Sequence, residues 1–260
     1  MTSQPRVSCL MVTANRKQIA RRAILCFKRQ TYPNKELVII DDGDVDYTDI
    51  LRDIPESDLN YIRIPKDDTV RLGGLRNLSL DAAEGDYLVQ WDDDDWYHDD
   101  RITLQAKVLQ NGSDACCLSY SLIHIEDGEF KDFPFIGSLT HGIPGSIMHV
   151  NSDNIRYPNY IKAEDTVYLD HWKKKKYTIM PKDMAYLFIR CYHGSNTWNA
   201  EHFRRRMRNS PSRFITFFWY RYVLKDLLRH PYFRMEGNLK SSIEQYLADS
   251  AALGIFQIDH

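Results

Sequence analysis

Three apolar runs, Val7 to Val12 (VSCLMV), Glu36 to Ile40 (ELVII) and Tyr87 to Trp91 (YLVQW), are separated by segments with helical spacing. A strand that is apolar on both faces has to be covered on both faces, which a one-sided antiparallel sheet does not do. Such strands alternating with helices predict an α/β fold with a mostly parallel central sheet between two helical layers. The first helix is expected over about residues 16–30, capped by Asn15, with Ile19, Ala23, Leu25, Cys26 and Phe27 on its apolar side. A third strand is expected over 59–64 and a helix over 72–83. Further on, the pattern predicts a helix at 101–109, strands at 115–123 and 146–150, a helix at 163–174, and short strands at 177–180 and 185–190. From Phe203 onward the chain reads as helical and basic.

Two of the apolar runs lead straight into acids: Asp41-Asp42 after the second, and Asp92, Asp93, Asp94 and Asp95 after Trp91. In an open α/β sheet the ligand crevice lies off the carboxyl ends of the strands, so both clusters should face one crevice. Elsewhere a run of four aspartates would read as a solvated loop. At a strand end, with no basic residue adjoining it in sequence, the run calls for a cation to offset it. Hard oxygen ligands select Mg2+ or Mn2+, ions that usually keep positions open for substrate phosphates. Residue chemistry alone therefore indicates a divalent-metal site for a phosphorylated ligand.

The chain has 260 residues, of which 43% are hydrophobic and 27% charged, enough for a core of ordinary size. Its formal net charge of -2 argues against a generic polyanion binder. Cys9, Cys26, Cys116, Cys117 and Cys191 are odd in number and form no CxxC pair, which suits a reduced compartment. No charged leader followed by a long apolar stretch opens the sequence, so a cytoplasmic location is expected. FITFFWY, flanked by Arg213 and Arg221, is too short to span a bilayer.

The segments VSCLMVTANR, ELVIIDDG, RLGGLRNLSLDAAEGDYLVQWDDDDW and AEDTVYL come in the order and spacing of another group of proteins. Over roughly residues 6 to 190 the chain resembles family 2 glycosyltransferases with the GT-A fold. The resemblance implies a catalytic domain over 1–200, with a nucleotide-sugar half (1–100) and an acceptor half (101–200), followed by a helical extension over 201–260. It implies an inverting, metal-dependent transfer from a nucleotide-diphosphate sugar, most often of uridine, to a hydroxyl of a glycan or lipid-linked glycan. Carried over by position, the DxD motif falls within Asp92 to Asp95. Asp94 would ligate Mn2+ or Mg2+, and Asp92 or Asp93 would face the ribose. Asp42, with Asp41 beside it, would bind the base; Thr13 and Asn15 would lie in the loop around base and ribose. Arg71 or Arg76 would approach the nucleotide or its phosphates. Asp165 would be the general base, with Glu164 as the substitute, because an alcohol attacks an anomeric carbon poorly unless its proton is removed. His193 would complete the metal shell, and Gly194, Ser195 and Asn196 would form a closing loop. The family often has Pro-Thr-Tyr-Asn after the first strand; here Val12-Thr13-Ala14-Asn15 lacks the aromatic that would stack on the base.

Other readings remain at this stage. Trp91, Trp96 and Tyr97 would either line the sugar site or pack in the core. A sugar-nucleotide pyrophosphorylase shares the layout but should carry a glycine-rich phosphate loop, which TANRKQIARR lacks. A non-catalytic carbohydrate- or membrane-binding module has no need of both the aspartate run and Glu164-Asp165. Between Phe203 and Phe233 eight basic residues stand against one acid, Asp226, interleaved with aromatics. That composition fits a peripheral membrane contact or packing on the catalytic domain. No nucleic-acid module is recognisable, so no nucleic-acid partner is expected.

Overall fold

A computed structural model of the chain describes residues 4–126, 128–194, 196 and 198–256. Eleven strands run in chain order as β1 (Val7–Thr13), β2 (Lys35–Asp41), β3 (Leu59–Arg63), β4 (Tyr87–Gln90), β5 (Trp96–Tyr97), β6 (Ala115–Leu118), β7 (Tyr120–Ile125), β8 (Phe135–Ser138), β9 (Met148–Val150), β10 (Tyr177–Met180) and β11 (Phe188–Tyr192). The α-helices are α1 (Lys17–Arg29), α2 (Thr48–Leu51), α3 (Leu72–Asp81), α4 (Arg101–Gln110), α5 (Glu164–Trp172), α6 (Ala200–Arg204), α7 (Pro211–Phe218) and α8 (Gly237–Ala252).

The expected parallel sheet is present: seven strands in the order β10-β6-β9-β4-β1-β2-β3, with only β9 antiparallel to its neighbours. Its alternation explains the continuous apolar runs. Val7, Cys9 and Met11 of β1 join the core layer under α1, whereas Leu10 joins Val38, Leu88, Tyr168 and Trp172 in the layer under α3 and α5. Cys116 and Cys117 likewise enter opposite layers, and all five cysteines are buried free thiols. The order β4-β1-β2 reverses direction along the sheet at β1, so the ends of β1, β2 and β4 border one crevice.

Several sequence expectations need correction. The single strand expected over 115–123 divides at Ser119, and β7 leaves for a second, four-stranded sheet ordered β5-β11-β7-β8. The strand expected at 185–190 begins as a 3-10 turn over Lys182–Leu187 and becomes β11 only at Phe188. Trp96 and Tyr97 form β5, antiparallel to β11, and with Trp91 they are fully buried. These three aromatics are core, so they do not line a sugar site. Asn15 does not cap α1. It adopts a left-handed conformation (φ 56°), and its side chain accepts the amides of Asp44 and Val45 at 2.8 and 3.1 Å, tying the loop after β1 to the loop after β2.

The C-terminal region divides between packing and exposure. Helix α8 is anchored: Arg29 of α1 donates twice to Asp249 at 2.8 and 2.7 Å, Trp96 donates to the same carboxylate, and Tyr246 is fully buried. Helix α7 has no buried residue, and no described helix is long and apolar enough to cross a membrane.

Under α5 lies a buried histidine with a defined tautomer. His149 stacks on Trp172 at 4.4 Å; its Nδ1 donates to the Val150 carbonyl at 2.8 Å, so Nε2 accepts from the Tyr168 hydroxyl at 2.9 Å. Burial pushes its pKa down from 6.5 to about 4, although the Val150 bond acts the other way. The unfolded chain therefore binds a proton that the folded one refuses, and stability falls as pH drops from about 6.5 toward 4. The full effect is on the order of 3 kcal/mol. Urea midpoints across that range should fall for the native chain and fall less steeply for His149→Gln. Superimposable pH profiles would show that another group is responsible.

Candidate active site

The four aspartates after β4 have four different settings. Asp92 accepts from Arg76 Nη2 at 2.9 Å and from Gln90 Nε2 at 2.9 Å. Asp93, 1% exposed, accepts from Thr13 Oγ1 and from Arg16 Nη2, each at 2.6 Å, and so locks the end of β4 to the loop after β1. Asp94 borders the crevice; its Oδ2 receives Arg16 Nη1 at 3.2 Å, His193 Nε2 at 3.4 Å and Asn196 Nδ2 at 3.1 Å. Asp95 is buried and accepts the Cys191 amide at 2.9 Å, which holds β11 two residues before His193. Burial raises the pKa of Asp93 against the pull of Arg16. Burial also opposes ionisation of Asp94, but the His193 hydrogen bond and Arg16 outweigh it and hold Asp94 below the usual carboxylate range. Asp95 is pushed well up by burial and then by Asp94, against Arg190.

Sequence adjacency suggested that no basic residue offsets this cluster, and the fold corrects that. Arg16 ends the loop after β1, Arg76 comes from α3, Arg190 from β11, and buried Arg22 donates to the Asp94 carbonyl at 2.7 Å. Arginines therefore supply much of the compensation that sequence reasoning assigned wholly to an ion.

The carboxylates line a cavity of about 110 Å³ together with Glu164, Asp165, Arg190, Asn196 and Trp198. That volume suits an ion and phosphate groups, since a complete small-molecule ligand needs roughly 300 Å³ or more. Among the described residues, no three His, Cys, Asp or Glu side chains converge as a ready-made metal cage. An Mg2+-type ion does not require one, because one or two carboxylates plus substrate phosphates and water suffice. Asp94 fits that role: its Oδ1 accepts no hydrogen bond among the described residues, and His193 adjoins it.

The other expected site residues fall on both sides of this centre. Thr13 bonds Tyr47 at 2.9 Å as well as Asp93. Asp41 is buried and engaged by the Gly43 amide at 2.9 Å and the Tyr61 hydroxyl at 2.7 Å. Asp42 is half-buried, and its carboxylate makes no hydrogen bond among the described residues. Arg71 is exposed at the start of α3, whereas Arg76 is buried and bridges Asp92 to Glu164 at 3.1 Å. Helix α3 reaches this position because Gly73 abuts the backbone of Pro158, where an added Cβ would lie 1.8 Å from the carbonyl oxygen.

Glu164 and Asp165 open α5 after Ala163, a non-glycine residue in the left-handed region (φ 62°), a conformation that costs about 1 kcal/mol or more. Glu164 is buried on Arg76; its pKa is raised by burial, against the Arg76 charge. Asp165 is half-buried on the cavity wall, and its recorded side-chain bond is from neighbouring Thr166 at 3.3 Å. Of the expected closing loop, Asn196 donates to Asp94 at 3.1 Å, Gly194 lies outside the lining of this cavity, and Ser195 lies outside the described residues. Sequence reasoning missed Arg16, Arg190 and Trp198. Arg16 ends the quoted VSCLMVTANR segment, but Arg190 and Trp198 carry no local signal. Trp198 and Phe203 are the aromatics on the cavity wall among the described residues, and Trp198 stacks on His202 at 4.4 Å.

Comparison with known proteins identifies the family and the fold. The model for glycosyl transferase family 2 matches residues 8–228. An uncharacterized glycosyltransferase of Haemophilus influenzae is 28% identical over 202 residues, covering 72% of this chain and 80% of that protein. The Escherichia coli UDP-Glc:alpha-D-GlcNAc-diphosphoundecaprenol beta-1,3-glucosyltransferase WfaP is 31% identical over 132 residues, 50% of this chain and 49% of its own. The chain spans only 37% of the Bacillus subtilis putative glycosyltransferase EpsH that it also matches. Among solved structures, Staphylococcus aureus TarS in complex with UDP aligns with a TM-score of 0.59 at 14% identity, over 96% of this chain and 81% of that one. The Pyrobaculum calidifontis mannosyltransferase PcManGT with GDP-Man and Mn2+ aligns with a TM-score of 0.56 at 16% identity, over 97% and 77%. These structures share the GT-A fold, and the match over most of the chain shows that it belongs to glycosyltransferase family 2.

Proposed function

We propose that the chain transfers a sugar, with inversion, from a UDP-sugar to a hydroxyl of a glycan or lipid-linked glycan in cell-surface polysaccharide synthesis. The observation that carries this reading is that Asp94 and Asp165 border the same cavity while their neighbours Asp93, Asp95 and Glu164 are committed to internal bonds. WfaP's name supports the donor and the lipid-linked acceptor, and the PcManGT complex supports the ion.

In this reading Asn15 and Asp42 would meet the base and ribose, while Thr13 is buried and supports their loop through Asp93 and Tyr47. Asp94, with His193 beside it, would hold Mn2+ or Mg2+, which when bound offsets charge on the departing diphosphate. Arg16 and Arg76 keep the surrounding carboxylates from repelling that group. On the far side of the sugar Asp165 takes the acceptor's proton as the acceptor oxygen bonds to the anomeric carbon and the bond to the diphosphate breaks. Arg76 holds Glu164, which leaves Asp165 as the base.

One observation favours a second version of the chemistry. Arg16 already spans Asp93 and Asp94, so a guanidinium alone would neutralise the leaving group without an ion. Chelation separates the two: loss of turnover in EDTA, restored by Mn2+, supports the ion, and full turnover in EDTA supports Arg16.

The exposed face of the C-terminal region carries the peripheral membrane reading. Ile215 is 68% and Trp219 53% exposed, with Phe214, Phe218, Tyr222 and Val223 beside them and Arg213, Arg221 and Lys225 interspersed. Apolar and basic side chains together match an anionic lipid surface.

Three outcomes test these assignments. Asp94→Asn should lower donor turnover at least a hundredfold with an unchanged thermal midpoint; retained turnover would refute the metal position. Asp165→Asn should lower kcat by about 10²–10⁴ while UDP affinity by calorimetry stays the same. An equal loss of UDP binding would assign Asp165 to the donor instead. Replacing Phe214, Ile215 and Trp219 by serine should abolish co-sedimentation with phosphatidylglycerol vesicles and leave activity on a soluble acceptor intact. Undiminished sedimentation would remove this face from membrane binding.

A further inference from the structure

Beyond Asp165 the charge of the crevice reverses. A second cavity, of about 530 Å³, shares Asp165, Arg190 and Trp198 with the first and adds Lys173, His202 and Arg206. Among the described residues Asp165 is the only acid on its wall. Lys173 is paired with Asp170 at 2.8 Å, whereas neither Arg190 nor Arg206 makes a direct ion pair with a carboxylate among the described residues, and Asp95 and Asp165 act on them only at longer range. Arg190 lies over the Phe203 ring at 5.2 Å. Arg206 Nη2 donates to His202 Nε2 at 2.8 Å, which requires a neutral imidazole, and its buried Nε has no hydrogen-bond partner among the described residues.

The electrostatics agree with the geometry. Burial and then the Arg190 charge push Arg206 down to about 10, against Asp165. Burial and then Arg206, Arg190 and Arg205 push His202 down to about 4. A half-buried cation without a counter-charge is costly, and side chains in such settings cluster where a ligand completes them. A single carboxylate would be satisfied by one bidentate arginine. Two guanidiniums with a lysine at the rim instead match the several oxygens and greater charge of a phosphate.

We propose that Arg190 and Arg206, oriented by Phe203 and His202, form a subsite for a phosphate group carried by the acceptor, beside the hydroxyl that faces Asp165. This rests on the reading that Asp165 addresses the acceptor. A glycosyl phosphate, a polyol phosphate and a prenyl diphosphate would all present the required chemistry.

Calorimetry on the full chain tests the subsite. UDP with Mn2+ is titrated first, and its failure to bind would count against the donor reading alone. With the donor side saturated, or without UDP if none binds, glucose, glucose 1-phosphate, glycerol 3-phosphate and geranyl diphosphate are then compared. At least one phosphate should bind ten times or more as tightly as glucose, and the tightest identifies the source. Arg206→Gln should remove that advantage while UDP affinity and thermal midpoint hold, and Arg206→Lys should restore part of it. If Arg206→Gln fails to fold, Lys173→Gln on the same wall decides, and it should lower the advantage. Phosphates no tighter than glucose, or an advantage unchanged in the variants, would overturn the subsite.

Discussion

Four carboxylates in succession at the end of β4 repel one another, and the fold around them is organised by how that repulsion is resolved. The run turns rather than extends, and its side chains meet different partners: Arg76 on α3, Thr13 at the end of β1 with Arg16 just before α1, the crevice itself, and the amide of Cys191 on β11. The run thus joins the two halves of the central sheet to the second sheet. A buried carboxylate is tolerable only when its oxygens are hydrogen-bonded, and these bonds fix where the neighbouring elements can sit. Asp94 is free to serve chemistry because the other three are held.

Along the crevice the potential runs from acidic around Asp94 to basic around Arg206, with Asp165 at the boundary. If the acceptor carries phosphate as proposed, that polarity would orient both substrates, with a divalent ion and its diphosphate at one end, the acceptor's phosphate at the other, and the reacting hydroxyl between them. Trp198 stands on the wall shared by both cavities, where an apolar ring face can meet a sugar while its opposite face rests on His202.

Much of this was legible in the chain. β1, β2 and β4 declared themselves because strands covered on both sides must be apolar throughout, and the acids at their ends marked the crevice. Glu164-Asp165 could be located as a pair, but the difference between them could not, since it depends on Arg76 arriving from α3. Arg190 sits inside a strand and acts only through tertiary neighbours. The break at Ser119 was hidden because Ala115 to Ile125 is almost continuously apolar, and a change of sheet leaves no mark on hydrophobic periodicity. Trp96 and Tyr97 misled for the opposite reason: aromatics beside a polar crevice suit sugar binding, yet the second sheet needed them as core.

Arg22 is completely buried, and it reaches both the Asp94 carbonyl and the Ser250 hydroxyl, at 2.7 and 3.2 Å. The backbone of Asp94 is thereby tied to a helix more than 150 residues further along the chain. During synthesis the strands and the acidic run emerge first, but the clamp cannot close until α8 has left the ribosome. Nascent chains therefore lack a finished centre, and proteolytic trimming near residue 250 would loosen a turn laid down in the first half of the chain.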